Sequence, residues 1–198
     1  MNATVADRTI FSTLAVRRDA RLTQAAAVVL LTGLTIIAAQ ISVPLPFTPV
    51  PFSLAPMVVL LGGAALGSRL GAASQVLYLA LGLAGLPVFA AAPLPQGPLR
   101  LLGPTGGYLL AYPAAAFLTG WLAERGFDRR YWTSCAAMAA GLAVIFAGGV
   151  SWLLLVTGSA DALRLAFWPF IAADLLKVAV AAAVLPTAWR FVPERRAR

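Results

Sequence analysis

This chain of 198 residues contains no histidine and a single cysteine, Cys135. The absence of imidazole removes the commonest metal ligand and the commonest general base at neutral pH. One thiol can form neither an intrachain disulfide nor a cysteine metal site. Charged residues make up only 11% of the chain, whereas soluble domains contain about a quarter. These absences argue against a soluble domain, a disulfide framework and a metal centre.

The residues that are present are strongly apolar: 61% are hydrophobic, and the mean hydropathy is +0.86. This composition predicts an all-α integral membrane protein, and the length allows about six transmembrane helices of ~20 residues each. Residues 1–20 carry scattered charge without the apolar core of a signal peptide. We therefore expect an N-terminal segment 1–20, a six-helix transmembrane domain 21–192 and a basic tail 193–198. The predicted spans are 22–41, 53–67, 70–90, 105–123, 132–156 and 166–191.

The net charge of +8 arises mainly from arginine. The arginines concentrate near the chain ends and in short connections, a pattern that argues against a groove for nucleic acid. With six spans, twelve arginines fall on one side of the membrane and two, Arg100 and Arg164, on the other. The positive-inside rule then places both termini in the cytoplasm. The twelve are Arg8, Arg17, Arg18, Arg21, Arg69, Arg125, Arg129, Arg130, Arg190, Arg195, Arg196 and Arg198.

Lys177 is the only lysine, and it stands in an apolar run three residues after Asp174. A charge at bilayer depth costs several kcal/mol, so each of these residues needs a partner, water or a ligand. Residues three apart share one face of a helix, and the predicted orientation puts Asp174 about 12 Å below the outer edge of its span. Two interpretations are open: an ion pair that joins helices, or a site for a polar ligand reached from outside. The rest of the sequence favours the ligand site.

Two predicted outer connections have unusual compositions. Residues 41–52 alternate prolines with apolar residues, which favours extended backbone. A loop so free of charge is either a stiff connector or a lid over a cavity. Residues 102–109 form a glycine-rich turn, which can bind an anion or simply serve turn geometry and helix packing. The chain contains no Gly-x-x-x-x-Gly-Lys-[Ser/Thr] sequence, so any ATP hydrolysis must belong to another subunit.

Five short motifs follow one another between residues 22 and 190. They are Pro44-Leu-Pro-Phe-Thr-Pro-Val-Pro-Phe52, Leu66-Gly67 with Arg69-Leu-Gly71, Gly85-Leu-Pro-Val-Phe-Ala90, Leu102-Gly-Pro-Thr-Gly-Gly-Tyr-Leu109 and Asp174-Leu-Leu-Lys177. Each motif alone is weakly specific, whereas five in this order on a six-span chain are specific. Together they resemble the motifs of the biotin-specific substrate-binding subunits (S-components) of energy-coupling-factor transporters, the BioY family.

This resemblance implies a multi-pass protein of the bacterial inner membrane that captures biotin outside the cell and needs no cofactor. It makes residues 21–192 the substrate-binding domain. It also implies coupling to a transmembrane scaffold subunit and two cytosolic ATPase subunits. Biotin, a membrane and these subunits are therefore the expected partners.

The chemistry of biotin suits the charged pair. Asp174 can accept from the N–H groups of the ureido ring while Lys177 donates to its carbonyl. In the alternative pose, Lys177 binds the biotin carboxylate. We favour the ureido pose, because the carboxylate can lie hydrated near the mouth of the site, close to Arg100. Candidates to pack against the apolar part of the ligand are Phe47, Phe52, Phe89, Trp152 and Trp168, with Tyr108 at the top of the fourth span.

Three other functions compete with biotin capture. An intramembrane enzyme needs an activated nucleophile or an acid–base set. A chain with no histidine and one intramembrane carboxylate does not offer such a set, so we expect no catalytic activity. A structural helical subunit would use the charged pair only to hold helices together. Uptake of another small vitamin is the nearest alternative, because the six-helix body is shared and only the motifs point to biotin.

Overall fold

The computed structural model describes residues 9–11, 20–91, 96–158, 164 and 167–191. Each of the six predicted spans contains a helix, and the all-α fold is confirmed. The elements in chain order are α1 (Ala20–Gln40), β1 (Ser42–Val43), β2 (Phe52–Ser53), α2 (Ala55–Leu66), α3 (Ser68–Leu83), α4 (Pro98–Leu102), α5 (Gly106–Ala123), a 3₁₀ turn (Phe127–Arg129), α6 (Tyr131–Thr157) and α7 (Trp168–Phe191). Outside the described residues lie most of 1–20, all of 193–198, and with them Arg8, Arg17, Arg18, Arg195, Arg196 and Arg198.

Three helices in the described part of the chain are long and apolar enough to cross a membrane: Ala20–Gln40, Tyr131–Thr157 and Trp168–Arg190. The 12 residues of α2 extend only about 18 Å, less than the ~30 Å hydrocarbon core of a bilayer. A short helix is tolerated at membrane depth where other helices surround it, and half of α2 is buried. The chain is therefore a multi-pass membrane protein, and the total of six crossings stays a prediction.

The structure shortens the third predicted span, 70–90, because α3 ends at Leu83. Gly85 follows with φ 89°, a left-handed backbone conformation that glycine adopts without strain. Pro87 then lacks the N–H group that a continuing helix would require. The segment 85–91 leaves the helix and turns back, so that the ring of Phe89 packs directly on the backbone of α3.

Helix α5 lies at the centre of the bundle, where it packs on α2, α3 and α6. Its buried face includes small residues such as Ala115, Ala116 and Thr119, none of which is exposed. Small side chains let helix backbones approach closely, which favours association where lipid offers little hydrophobic driving force. At Gly63 of α2 the approach is so close that an added methyl group would collide with the backbone of Ala116. This packing fixes α5, and with it Tyr108 near its first turn.

The proline-rich segment folds back as a short β-hairpin, and only its two ends form extended strands, whereas the prolines predicted to favour extended backbone lie between them. Strands β1 and β2 pair antiparallel in the register Ser42–Ser53 and Val43–Phe52. The prolines lie in the loop between the strands, where a missing N–H group breaks no pairing. The hairpin carries residues 50–52 to the wall of the cavity described below.

The two ends of the bundle differ in composition. One, the arginine end, consists of residues 67–69, 124–131 and 187–191; the other, the cavity end, consists of residues 41–54, 85–91 and 96–105. The cavity end contains Arg100. The arginine end contains Arg69, Arg125, Arg129, Arg130 and Arg190. This separation agrees with the one-sided arginine distribution expected from the sequence, and the assignment of the arginine end to the cytoplasm stays a prediction.

Side-chain hydrogen bonds fasten the arginine end. Glu124 Oε1 accepts from the backbone N–H of Ser68 at 2.7 Å and from its hydroxyl at 2.8 Å, which joins α5 to the start of α3. Asp128 Oδ2 accepts from Trp189 Nε1 at 2.6 Å, which joins the 3₁₀ turn to α7. The Arg129 guanidinium lies 4.1 Å from the centroid of the Trp189 ring, a favourable cation–π distance.

Candidate functional site

Asp174 and Lys177 lie one turn apart on one face of α7, as their spacing predicts. Lys177 Nζ is 2.7 Å from Asp174 Oδ1, and the two residues are only 9% and 7% exposed, respectively. The ammonium also donates to the backbone carbonyl of Ser53 at 2.7 Å and lies 3.5 Å from the centroid of the Phe52 ring. A buried charge is costly without such partners. Because two of the three partners belong to the hairpin, the lysine connects α7 to it.

A cavity of about 60 Å³ lies beside the charged pair. Its wall is mainly aromatic and aliphatic with a few convergent polar groups, a composition typical of sites for small organic ligands. The hairpin, the segment 85–91 and helices α2, α4, α5, α6 and α7 all contribute to it. The lining residues are Val50, Pro51, Phe52, Ser53, Pro56, Phe89, Ala90, Arg100, Thr105, Tyr108, Leu109, Tyr112, Ile145, Phe146, Phe170, Asp174 and Lys177.

Most of the residues predicted for the site meet at this cavity, although they come from five separate parts of the chain. The predicted residues that line the cavity are Asp174, Lys177, Tyr108, Phe52, Phe89 and Arg100.

Three predicted aromatic residues lie elsewhere. Phe47, in the hairpin loop, is 57% exposed, and Trp168, at the start of α7, is 66% exposed. Trp152 Nε1 donates to the backbone carbonyl of Gly103 at 2.9 Å. An indole N–H usually finds such a partner when it is partly buried, and here the bond holds the turn that leads into α5. The structure thus gives Trp152 a contact with the turn and places none of the three on the cavity wall.

Phe89 is positioned by polar contacts to its own segment. The Gln40 amide donates to the carbonyls of residues 87–89 at 3.3–3.4 Å. Gln96 accepts from the Phe89 N–H at 3.3 Å and donates to the Phe89 carbonyl at 3.2 Å. The Tyr78 ring meets the Phe89 ring edge-on, with centroids 5.4 Å apart. Contacts from α1 and α3 therefore fix the ring at the edge of the cavity.

Arg100 is the second cation on the cavity wall, and it is only 2% exposed. It lies on α4, which begins with Pro98 at a position that suits proline. Burial lowers the pKa of the Arg100 guanidinium, but arginine stays protonated at neutral pH because its ordinary pKa is so high. The described residues hold no cluster of three or more His, Cys, Asp or Glu side chains for a metal ion. Among the described residues, the cavity wall carries one carboxylate and two cations beside its apolar side chains, so the cavity suits a largely apolar ligand with a few polar groups.

Comparison with known families identifies the chain. The model of the BioY family matches residues 11–194. The chain belongs to the BioY family. Membership predicted from five motifs is therefore confirmed over nearly the whole sequence.

Several relatives within the BioY family match most of the chain. The probable biotin transporter BioY of Pyrococcus horikoshii is 42% identical over 154 residues, which cover 78% of this chain and 88% of that protein. The biotin transporter BioY of Thermotoga maritima is 40% identical over 154 residues, or 77% and 88% of the two chains. The biotin transporter BioY of Rhizobium etli is 33% identical over 147 residues, or 70% and 77%.

A solved structure shares the fold of this BioY-family chain. It is the S-component for biotin from an ECF-type ABC transporter, determined at 2.1 Å, and it matches with a TM-score of 0.79. The match covers 89% of this chain and 95% of the other at 24% sequence identity. At this identity the comparison establishes the helical membrane fold.

The cavity of this BioY-family chain contains residues that the sequence did not point to. Two of them had a usable signal: Tyr112 stands four residues after Tyr108, and Phe170 stands four residues before Asp174, so each shares a helix face with a predicted site residue. Ile145 and Phe146 had none, because the rotation of α6 depends on packing between helices. Their position could only be read from the folded chain.

Proposed function

We propose that this chain captures biotin from outside the cell as the substrate-binding subunit of an energy-coupling-factor transporter in the bacterial inner membrane. The observation that carries the proposal is the buried Asp174–Lys177 pair beside a cavity with aromatic walls. Support also comes from relatives named as biotin transporters that are 42% and 40% identical to the chain.

Each part of biotin finds a chemical complement on the cavity wall. In the pose that we favour, Asp174 accepts from the ureido N–H groups, and Lys177 exchanges its bond to Ser53 for one to the ureido carbonyl. Aromatic side chains such as Phe89 pack against the thioether ring. The biotin carboxylate then lies hydrated near the mouth of the cavity, close to Arg100, so that it needs no buried cation of its own. In the alternative pose, Lys177 binds the carboxylate directly.

The proposed assembly separates capture from ATP hydrolysis. The chain has no phosphate-binding loop sequence, which supports hydrolysis by two cytosolic ATPase subunits joined through a transmembrane scaffold subunit. The chain itself binds and releases its ligand without catalysis. In this proposal the arginine end faces the cytoplasm, in keeping with the positive-inside rule, and the cavity end faces outside.

Binding of radiolabelled biotin to the purified protein in detergent, without ATP, tests the proposal. We expect saturable binding that unlabelled biotin displaces and that the double variant Lys177→Met, Asp174→Leu loses. Leu176→Ala is the matched control, because Leu176 lies between the pair on α7 but is 66% exposed. If the wild-type protein shows no saturable binding, the proposed ligand is wrong. Wild-type affinity for biotin in the double variant would instead show that the pair is structural and does not bind the ligand.

Two biotin analogues distinguish the poses. If the pair holds the ureido ring, biotin amidated at its tail keeps much of its affinity, and iminobiotin, with its altered ring, loses affinity. If Lys177 holds the carboxylate, amidation costs about 2–5 kcal/mol because it leaves a buried charge without its partner. Competition of both analogues against labelled biotin measures the difference.

A further inference from the structure

A second cavity, a groove of about 420 Å³, lies between α6 and α7. Its wall is apolar except for one serine. Leu175 on this wall is about half exposed, so the groove opens on the outer surface of the helix pair. In a membrane-spanning chain that surface faces lipid.

The groove and the cavity beside the charged pair lie on adjacent faces of the same two helices. On α6, Ile145 lines the cavity and Ala147 lines the groove. On α7, Asp174 lines the cavity and Leu175 lines the groove. Among the residues that the structure describes, Phe146 alone lines both. Its ring is therefore the partition between them.

Aromatic contacts on two sides hold this partition in place. The Phe146 ring meets the Tyr108 ring at a centroid distance of 6.3 Å and the Phe167 ring at 5.1 Å, both edge-on. Such edge-to-face pairs are favourable geometries for aromatic rings. Phe146 is also buried, so the ring has little freedom to leave the gap between α5 and the start of α7.

We propose that Phe146 sets the upper size limit of the ligand, because its ring closes the cavity on the side of the groove and excludes ligands with an aliphatic extension. The inference rests on the proposed biotin function. Shortening this side chain joins a cavity of about 60 Å³ to an apolar groove of about 420 Å³. The enlarged site accepts an alkyl chain that the wild-type site rejects.

Alkylated biotins of graded length test the proposal with Phe146→Ala. Two series are used, one of alkyl amides at the tail and one alkylated on a ureido nitrogen, each with one to four added carbons. For each variant the measured quantity is the affinity of the derivative relative to that of biotin. In Phe146→Ala we expect this ratio to rise with chain length in at least one series, by up to about fourfold per methylene. In the wild-type protein the ratio falls with length.

Two variants on α6 serve as matched controls. Ile145→Ala enlarges only the cavity, and Leu142→Ala enlarges only the groove, because each residue lines one of the two. In neither control variant do we expect the affinity ratio to rise with chain length. A rise of the same size in Ile145→Ala would overturn the proposal, since any enlargement would then suffice. If Phe146→Ala does not fold, Phe146→Leu is expected to show the same trend with a smaller slope.

The outcomes separate this inference from the proposed function. If the wild-type protein binds biotin but the ratio in Phe146→Ala and Phe146→Leu falls with chain length as in the wild type, only the partition role of Phe146 is wrong. If the wild-type protein binds no biotin, both the function and the size limit for biotin are wrong.

Discussion

Two buried carboxylates are associated with α7 in different ways: Asp174 is part of the helix, and Asp128 contacts it from the 3₁₀ turn. Asp174 pairs with the Lys177 ammonium at 2.7 Å and lines a cavity. Asp128, at the arginine end, accepts from the Trp189 indole at 2.6 Å and lines neither of the two cavities described above. Both residues are almost completely buried. Burial alone therefore does not separate the carboxylate that we propose as a ligand contact from one that joins helices.

The partner of each carboxylate makes the difference. An ammonium has three N–H donors that can be redirected, and Lys177 already divides them between Asp174 and Ser53. A ligand can take over one of these bonds. An indole has a single N–H donor, and the Trp189 N–H is occupied by Asp128. The Asp174–Lys177 pair can therefore exchange a bond for one to a ligand in the cavity, whereas the Asp128–Trp189 hydrogen bond can only be kept or lost.

The largest effect is expected from Lys177→Ala. This change leaves the Asp174 charge buried without its cation, which costs about 3–5 kcal/mol of unfolding free energy, and it abolishes biotin binding. Lys177→Met with Asp174→Leu removes both charges, so we expect it to be more stable than either single variant and still unable to bind. Thermal unfolding in detergent and labelled-biotin binding measure the two effects. A double variant less stable than Lys177→Ala would contradict this account of the pair.

A smaller effect is expected at the other carboxylate. Asp128→Ala leaves the Trp189 N–H without an acceptor and should cost about 1–3 kcal/mol of unfolding free energy. Asp128→Asn keeps an acceptor oxygen and should cost less. Because Asp128 is remote from the cavity, both variants should bind biotin like the wild type when folded. Loss of biotin binding in folded Asp128→Asn would show that the arginine end contributes to ligand recognition.

The pH dependence of stability sharpens the contrast at Asp128. Burial raises the pKa of this carboxyl in the folded chain above its usual value of 3.8, although the Trp189 hydrogen bond and Arg129 oppose the shift. The folded chain thus takes up this proton more readily than the unfolded chain. Protonation of Asp128 therefore contributes most to stability below the pKa of the unfolded chain, and this contribution is lost as the pH rises through the pKa of the folded chain. Thermal unfolding across the acid range should show this loss of stability with rising pH in the wild type and a smaller loss in Asp128→Asn.

The sequence predicted those features that depend on residues a few positions apart. Apolar runs predicted the helices, and the three-residue spacing predicted that Asp174 and Lys177 share a face. The roles of Asp128 and Trp152 were missed because their partners lie 61 and 49 positions away. The overlong third span was an error of a different kind, because its residues are apolar enough for a helix and the backbone at Gly85 ends it.

The smallest effect is expected from Trp152→Phe, a second test of whether a polar contact near the cavity recognises the ligand or holds the fold. The substitution keeps an aromatic ring but removes the N–H that binds the Gly103 carbonyl. We expect a loss of about 0.5–1.5 kcal/mol of unfolding free energy, typical of one hydrogen bond. Biotin affinity should change little, because Trp152 acts on the turn before α5 and does not line the cavity. Loss of biotin binding as complete as in Lys177→Ala, with unchanged thermal stability, would instead make Trp152 a ligand contact.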